Sequence, residues 1–118
     1  MMIYLPTFHD SRGELTVIEN VLPFSVKRIY YITNSGGQTR GGHRHLKTIQ
    51  AAICLAGSCT IFLNDGSKIS SYLLDSKSEC LIINPEDFHW MTNFTKDAIL
   101  LVLASEEYDK NDYVYDSY

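Results

Sequence analysis

The chain has 118 residues, of which 45% are hydrophobic and 20% charged, with a net charge of −4 and a pI near 5.4. That composition excludes a disordered chain, and residues 1–118 are enough for one domain with one core. The acidic balance excludes nucleic acid as a bulk partner, because phosphate neutralisation needs clustered Lys and Arg; no apolar run reaches the ~20 residues of a membrane span, and MMIYLPTFHD lacks a basic-then-apolar leader, so a cytoplasmic protein is expected.

Apolar residues recur with period two almost throughout, which predicts strands. In chain order, Ile3–Phe8 and Leu15–Glu19 flank the turn Asp10-Ser11-Arg12-Gly13. Val26–Thr33 ends at Asn34-Ser35-Gly36-Gly37, and Gly42–Lys47 leads into Gln50–Leu55. Ala56-Gly57-Ser58 turns the chain into Cys59–Leu63, and Asn64-Asp65-Gly66 closes a hairpin with Lys68–Leu74. Cys80–Ile83 stops at Asn84-Pro85, since proline cannot donate to a ladder. Phe88–Thr92 and Ala98–Ala104 complete the set, and the acidic tail Ser105–Tyr118 is the one stretch suited to a helical turn. Many short strands at this spacing predict an all-β sandwich or barrel whose open mouth forms a pocket. Cys54, Cys59 and Cys80 are odd in number and form no CxxC, which reads as buried, reduced thiols.

The residues best suited to chemistry are in Arg40-Gly41-Gly42-His43-Arg44-His45. Residues two apart on a strand share a face, so His43 and His45 point together and Arg44 points away. Imidazole is the natural proton carrier near pH 7. Gln50 and Gly57 follow the pair, and Pro85, His89 and Asn93 come later. This spacing resembles the two motifs of the cupin superfamily. Metal-dependent cupins carry a Glu where this chain has Gln50, and a neutral amide is a weaker ligand for a divalent ion. The second motif here is one residue short and lacks its glycine.

A narrower resemblance covers residues 3–118. The stretches Asp10-Ser11-Arg12-Gly13-Glu14-Leu15, Pro23 through Ile32, Arg40 through His45, Asp65-Gly66, Leu103-Ala104-Ser105, Tyr108-Asp109 and Asp112-Tyr113 recur in this order in the dTDP-sugar 3,4-ketoisomerases. The resemblance implies a cupin-like double-sheet jelly-roll barrel. It also implies a homodimer that exchanges N-terminal strands, and catalysis without metal or other cofactor. The implied substrate is dTDP-4-keto-6-deoxy-D-glucose and the product its 3-keto isomer, which an aminotransferase then uses. Departures are Arg44, where the family commonly has alanine, and Phe88 followed by His89 and Trp90, where it often has Trp before the histidine.

That reaction needs a base for the C3 proton, donors for the developing oxyanion, and no redox cofactor. His45 is the expected base with His43 as partner, and the reverse order remains open. Strand alternation sends only one of Tyr30 and Tyr31 inward, to the O3/O4 oxygens. Arg40 would stabilise the enediolate or bind diphosphate, while Arg12 and Arg28 are further diphosphate ligands. Gln50, His89, Phe88 and Trp90 are expected to line the substrate site. The acidic tail, with Asp109, Asp112 and Asp116, reads as a solvated face. Alternatives are 3,5-epimerisation of the same sugar nucleotide, ligand binding without turnover, and a metal-dependent cupin enzyme.

Overall fold

The computed structural model describes residues 1–118. Twelve strands account for nearly all regular structure: β1 Met2–Tyr4, β2 Thr7–Asp10, β3 Gly13–Thr16, β4 Arg28–Thr33, β5 Arg40–His45, β6 Gln50–Ala56, β7 Cys59–Asn64, β8 Ile69–Leu74, β9 Glu79–Ile83, β10 Phe88–Thr92, β11 Ile99–Ala104 and β12 Tyr113–Val114. A single 3-10 turn covers Lys110–Asp112. Every pairing is antiparallel. One sheet has the order β1-β9-β6-β11-β4, a second β12-β5-β10-β7-β8, and β2-β3 forms a separate hairpin.

The expected all-β double sheet is present. No ladder joins the two sheets, so the architecture is an open sandwich rather than a closed barrel. Two other sequence expectations shift. The run Ile3–Phe8 divides into β1 and β2 at Pro6, which has no N–H to give to a ladder. The expected strand Leu15–Glu19 stops at Thr16, where Val17 N donates to Pro6 O at 2.9 Å.

The core lies between the sheets. Inward-facing Ala52 and Cys54 of β6 meet Ile61 of β7, Leu81 of β9 and Leu100 of β11, all at most 1% exposed. Each fully buried aliphatic side chain among them contributes roughly 1.5–3 kcal/mol. The opposite face of the first sheet presents Ala51, Ile53, Ile82 and Leu103, and Val21, Leu22 and Phe24 cover it. Burial on both faces explains why β6 reads as an unbroken apolar run while β7 alternates buried and half-buried. Cys54, Cys59 and Cys80 are free and buried, as their apolar surroundings predict.

Candidate active site

β5 and β10 build the floor of the site. In their ladder His43 lies opposite His89, and Gly41 opposite Trp90. Gly41 makes this close pairing possible. Its φ is +87°, and a Cβ there would sit 2.9 Å from the His89 carbonyl oxygen. The pleat turns His43, His45 and His89 toward the same interior space. The ring of His43 lies 5.0 Å from that of His45 and 4.7 Å from that of His89. Arg44 faces away, its guanidinium 4.7 Å over the Tyr118 ring.

Two of these rings are held by acceptors. His45 Nδ1 donates to Asp112 Oδ2 at 2.9 Å, and His89 Nδ1 donates to the Asp87 carbonyl oxygen at 3.1 Å. Carboxylates and carbonyls only accept, so both Nδ1 atoms carry hydrogen and both Nε2 atoms present lone pairs. Neither Nε2 has a partner, although both are buried. Buried polar atoms are usually satisfied, so two unpartnered nitrogens aimed at one space mark a place where a ligand group belongs. Tyr113, opposite His45 on β12, closes the side with its ring 4.7 Å from His43 and 4.6 Å from His45.

The first sheet supplies the facing wall. β11 links β4 to β6, so that Arg28 and Gln50 both pair with Ala104. Gln50 Nε2 donates to the Tyr30 hydroxyl at 3.0 Å, leaving the buried Gln50 Oε1 without a partner. The Arg28 guanidinium lies 4.6 Å over the Tyr30 ring and 5.4 Å from that of Tyr108. No carboxylate is in salt-bridge contact with Arg28 or with Arg40, so both cations are open to an anionic ligand.

Burial sets the protonation states. It draws the His89 imidazole down to about 3, and together with the neighbouring His45 it draws His43 down to about 4. His45 is also lowered by burial, with Asp112 pulling the other way. Burial, helped by Tyr113, raises the Tyr30 phenol above its usual value. At neutral pH the interior therefore holds neutral imidazoles facing a neutral phenol, a set able to take and return protons. The nitrogens of His43, His45 and His89 also lie within 4.8 Å of one another, a spacing that a divalent ion could bridge.

Of the residues singled out in the sequence, His43, His45, His89, Gln50, Tyr30 and Arg28 meet here, and Arg40 stands at the exposed start of β5. Others point elsewhere. Tyr31 is on the outer face of β4 and is 69% exposed, because alternation gives the inner face to Tyr30. Phe88 and Trp90 flank His89 and so take the opposite face of β10, where Trp90 stacks on Phe62 at 5.0 Å; they do not line the histidine cluster. Arg12 lies in the β2–β3 turn, paired with Asp10 at 2.6 Å, and within one subunit does not join the cluster. The solvated-face reading of the tail fails at Asp112, which is 3% exposed and bonded to His45. Its one trace in the sequence is the Asp112-Tyr113 pair within the family-like stretches.

The family model described as WxcM-like, C-terminal, under the name FdtA, matches residues 1–118. A TDP-4-oxo-6-deoxy-alpha-D-glucose-3,4-oxoisomerase of Aneurinibacillus thermoaerophilus is 44% identical over 114 residues, covering 92% of this chain and 82% of that protein. A double variant of the QdtA 3,4-ketoisomerase from Thermoanaerobacterium thermosaccharolyticum, solved with TDP, superposes with a TM-score of 0.94 at 42% identity, covering 98% of this chain and 86% of that one. A single variant of the same enzyme, solved with TDP-4-keto-6-deoxyglucose, gives 0.94 at 39% identity with the same two coverages of 98% and 86%. Matched from end to end by the family model and across 92% of its length by a named oxoisomerase, the chain belongs to the FdtA/QdtA-type family of sugar-nucleotide 3,4-ketoisomerases.

Proposed function

We propose that this chain, acting as one domain, is an isomerase that converts dTDP-4-keto-6-deoxy-D-glucose to the dTDP-linked 3-keto isomer. The observation that carries the reading is the cluster of neutral imidazoles with unpartnered Nε2 atoms, set against a phenol held by Gln50. The hydrogen on C3 is acidified by the C4 carbonyl. His45, with His43 beside it, takes that proton at a ring nitrogen, and the Tyr30 hydroxyl gives its hydrogen to O4. The enediol then returns the O3 hydrogen to Tyr30 while the imidazolium protonates C4. Bonds and protons balance without an oxidant or reductant. Arg28 and Arg40 offset the developing oxyanion or the diphosphate charge, and a positioned base supplies ~10²–10⁴-fold in rate.

The same reading includes a homodimer with exchanged N-terminal strands. It is supported by the β2–β3 hairpin, which pairs with neither sheet and exposes the cross-strand pair Phe8 and Leu15, 62% and 65% accessible. Exchange would carry Arg12 to the other subunit, where a diphosphate role becomes possible. We place the work in the cytoplasm, where buried thiols stay reduced.

The test is proton NMR of dTDP-4-keto-6-deoxyglucose with the protein in D₂O and EDTA. Loss of the C3 signal and growth of a 3-keto species are expected. An unchanged substrate overturns the reading, turnover only after adding a divalent ion makes it a metal enzyme, and deuterium at C5 makes it an epimerase.

A further inference from the structure

We propose that Arg44 is a positioning residue that latches residues 113–118 as a closed strap along the histidine cluster. The inference deepens the isomerase reading, on which its kinetic arm rests.

The strap starts from a fixed point. Asp112 is buried, and its carboxylate accepts Leu46 N at 3.1 Å and Lys47 N at 2.8 Å. From there the chain runs along the edge of β5, where Tyr113 and Val114 pair with His45 and Arg44. The Tyr113 ring lies 4.7 Å from that of His43 and 4.6 Å from that of His45, and the Tyr115 ring lies 6.1 Å from that of His43. The strap is therefore one wall of the site. Its ladder spans two residues, and so short a pairing does not hold itself closed in water.

Arg44 supplies the missing hold. It sits between His43 and His45 on β5, and strand alternation sends it to the opposite face, out of reach of the reacting sugar. There its guanidinium lies 4.7 Å over the Tyr118 ring, while Nε donates to the Asp116 carbonyl oxygen at 3.4 Å. A planar guanidinium can stack on a ring and donate along its edge at the same time, which an ammonium cannot. Arg44 has no carboxylate partner that would draw it away. The Tyr118 hydroxyl donates to the Glu86 carbonyl oxygen at 2.6 Å, in the segment before β10. The Tyr118 ring rests beside Gly66 of the β7–β8 turn, where a Cβ would come within 3.2 Å of it. Tyr118 is thus gripped from three places in the second sheet, and Arg44 ties that grip to the strand that carries both histidines. Arg44 does not touch the substrate; its effect passes through the strap and Tyr113.

The experiment uses the full chain, with amide hydrogen exchange read by mass spectrometry in parallel with kinetics. In Arg44→Ala, residues 113–118 are expected to exchange about 3- to 10-fold faster, the effect of losing one exposed cation–ring contact and its hydrogen bond, while β7 and β11 exchange as in the wild type. KM should rise about 3-fold or more with kcat held within about 2-fold, because substrate binds the closed strap and saturation draws it shut. A general loss of folded enzyme would instead lower kcat and leave KM. Tyr118→Ala removes the other half of the clamp and should act in the same direction, and the double variant should fall short of the product of the two single effects. Unchanged exchange of the strap in Arg44→Ala overturns the proposal, as does an unchanged KM or a double variant that reaches the full product. Tyr118 is 54% exposed, so its variant tests the latch even if Arg44→Ala does not fold, and unchanged exchange there overturns it too. A wild type without turnover overturns the isomerase reading instead, and the exchange rates then decide the latch alone.

Discussion

Tyr30 and Tyr31 are chemically identical neighbours that the pleat sends to opposite environments. Tyr30 is anchored by Gln50 and lies beneath Arg28, while Tyr31 stands 69% exposed on the outer face. Removing the Tyr30 hydroxyl takes away the donor for O4 and leaves Gln50 Nε2 without its acceptor. Tyr30→Phe is therefore expected to lower kcat by ~10²–10³-fold, the range for one lost oxyanion donor. Tyr31→Phe should leave kcat unchanged, because its hydroxyl has no partner in the site. Steady-state rates of the two variants, measured side by side, check the assignment; equal losses would contradict it.

At the scale of elements, β5 and the β2–β3 hairpin carry distinct demands. β5 must pass close to β10 for His43 to stand opposite His89, and Gly41 allows it. Gly41→Ala combines a left-handed φ of +87° with a Cβ 2.9 Å from the His89 carbonyl oxygen. Gly36→Ala carries only the backbone strain, with φ +66° and nothing within 4 Å. Strain alone costs about 1–2 kcal/mol, so Gly41→Ala should unfold at clearly lower urea than Gly36→Ala and should also lose activity as His89 moves. Equal midpoints would show that β10 yields without cost.

The hairpin makes the opposite demand, since two strands alone are marginal in water. Phe8 and Leu15 face each other across it in the open. Light scattering should report twice the 13.4 kDa chain mass. Phe8→Asp combined with Leu15→Asp should return the single-chain mass, and an unchanged dimer would move the interface elsewhere.

For the whole molecule, the buried histidines make stability depend on acidity. The folded chain holds His43 down to about 4 and His89 down to about 3, while the unfolded chain titrates near the ordinary 6.5. Below pH 6.5 the unfolded state therefore binds protons that the folded state refuses. Stability is complete above that pH and falls as acid is added, until each folded value is reached. The slope is up to about 1.4 kcal/mol per pH unit for fully buried His89, and less for His43, which is partly open to solvent. Asp112, held below its usual value, adds a loss of the same sign at lower pH. Thermal melting between neutral pH and about pH 4 should show a steady drop in Tm. A flat profile would mean that the cluster is hydrated and titrates normally.

Strand content, the turns at Gly13 and Gly66, the shared face of His43 and His45, and the family itself were legible in the chain, because all are local: period two, turn chemistry and short motifs. The resemblance also brought Gln50, Tyr30, His89 and Arg28 forward as candidates, without distances. Periodicity says which residues share a face but not which strand lies opposite, nor which face looks inward. Tertiary pairing placed His89 across from His43, turned Phe88 and Trp90 outward, chose Tyr30 over Tyr31, and left Arg12 on a hairpin apart from the sheets. It also brought Asp112, from an apparently solvated acidic tail, onto His45 across 67 residues of sequence. A contact at that separation depends on the pairing of β12 with β5, a long-range register that strand periodicity does not encode.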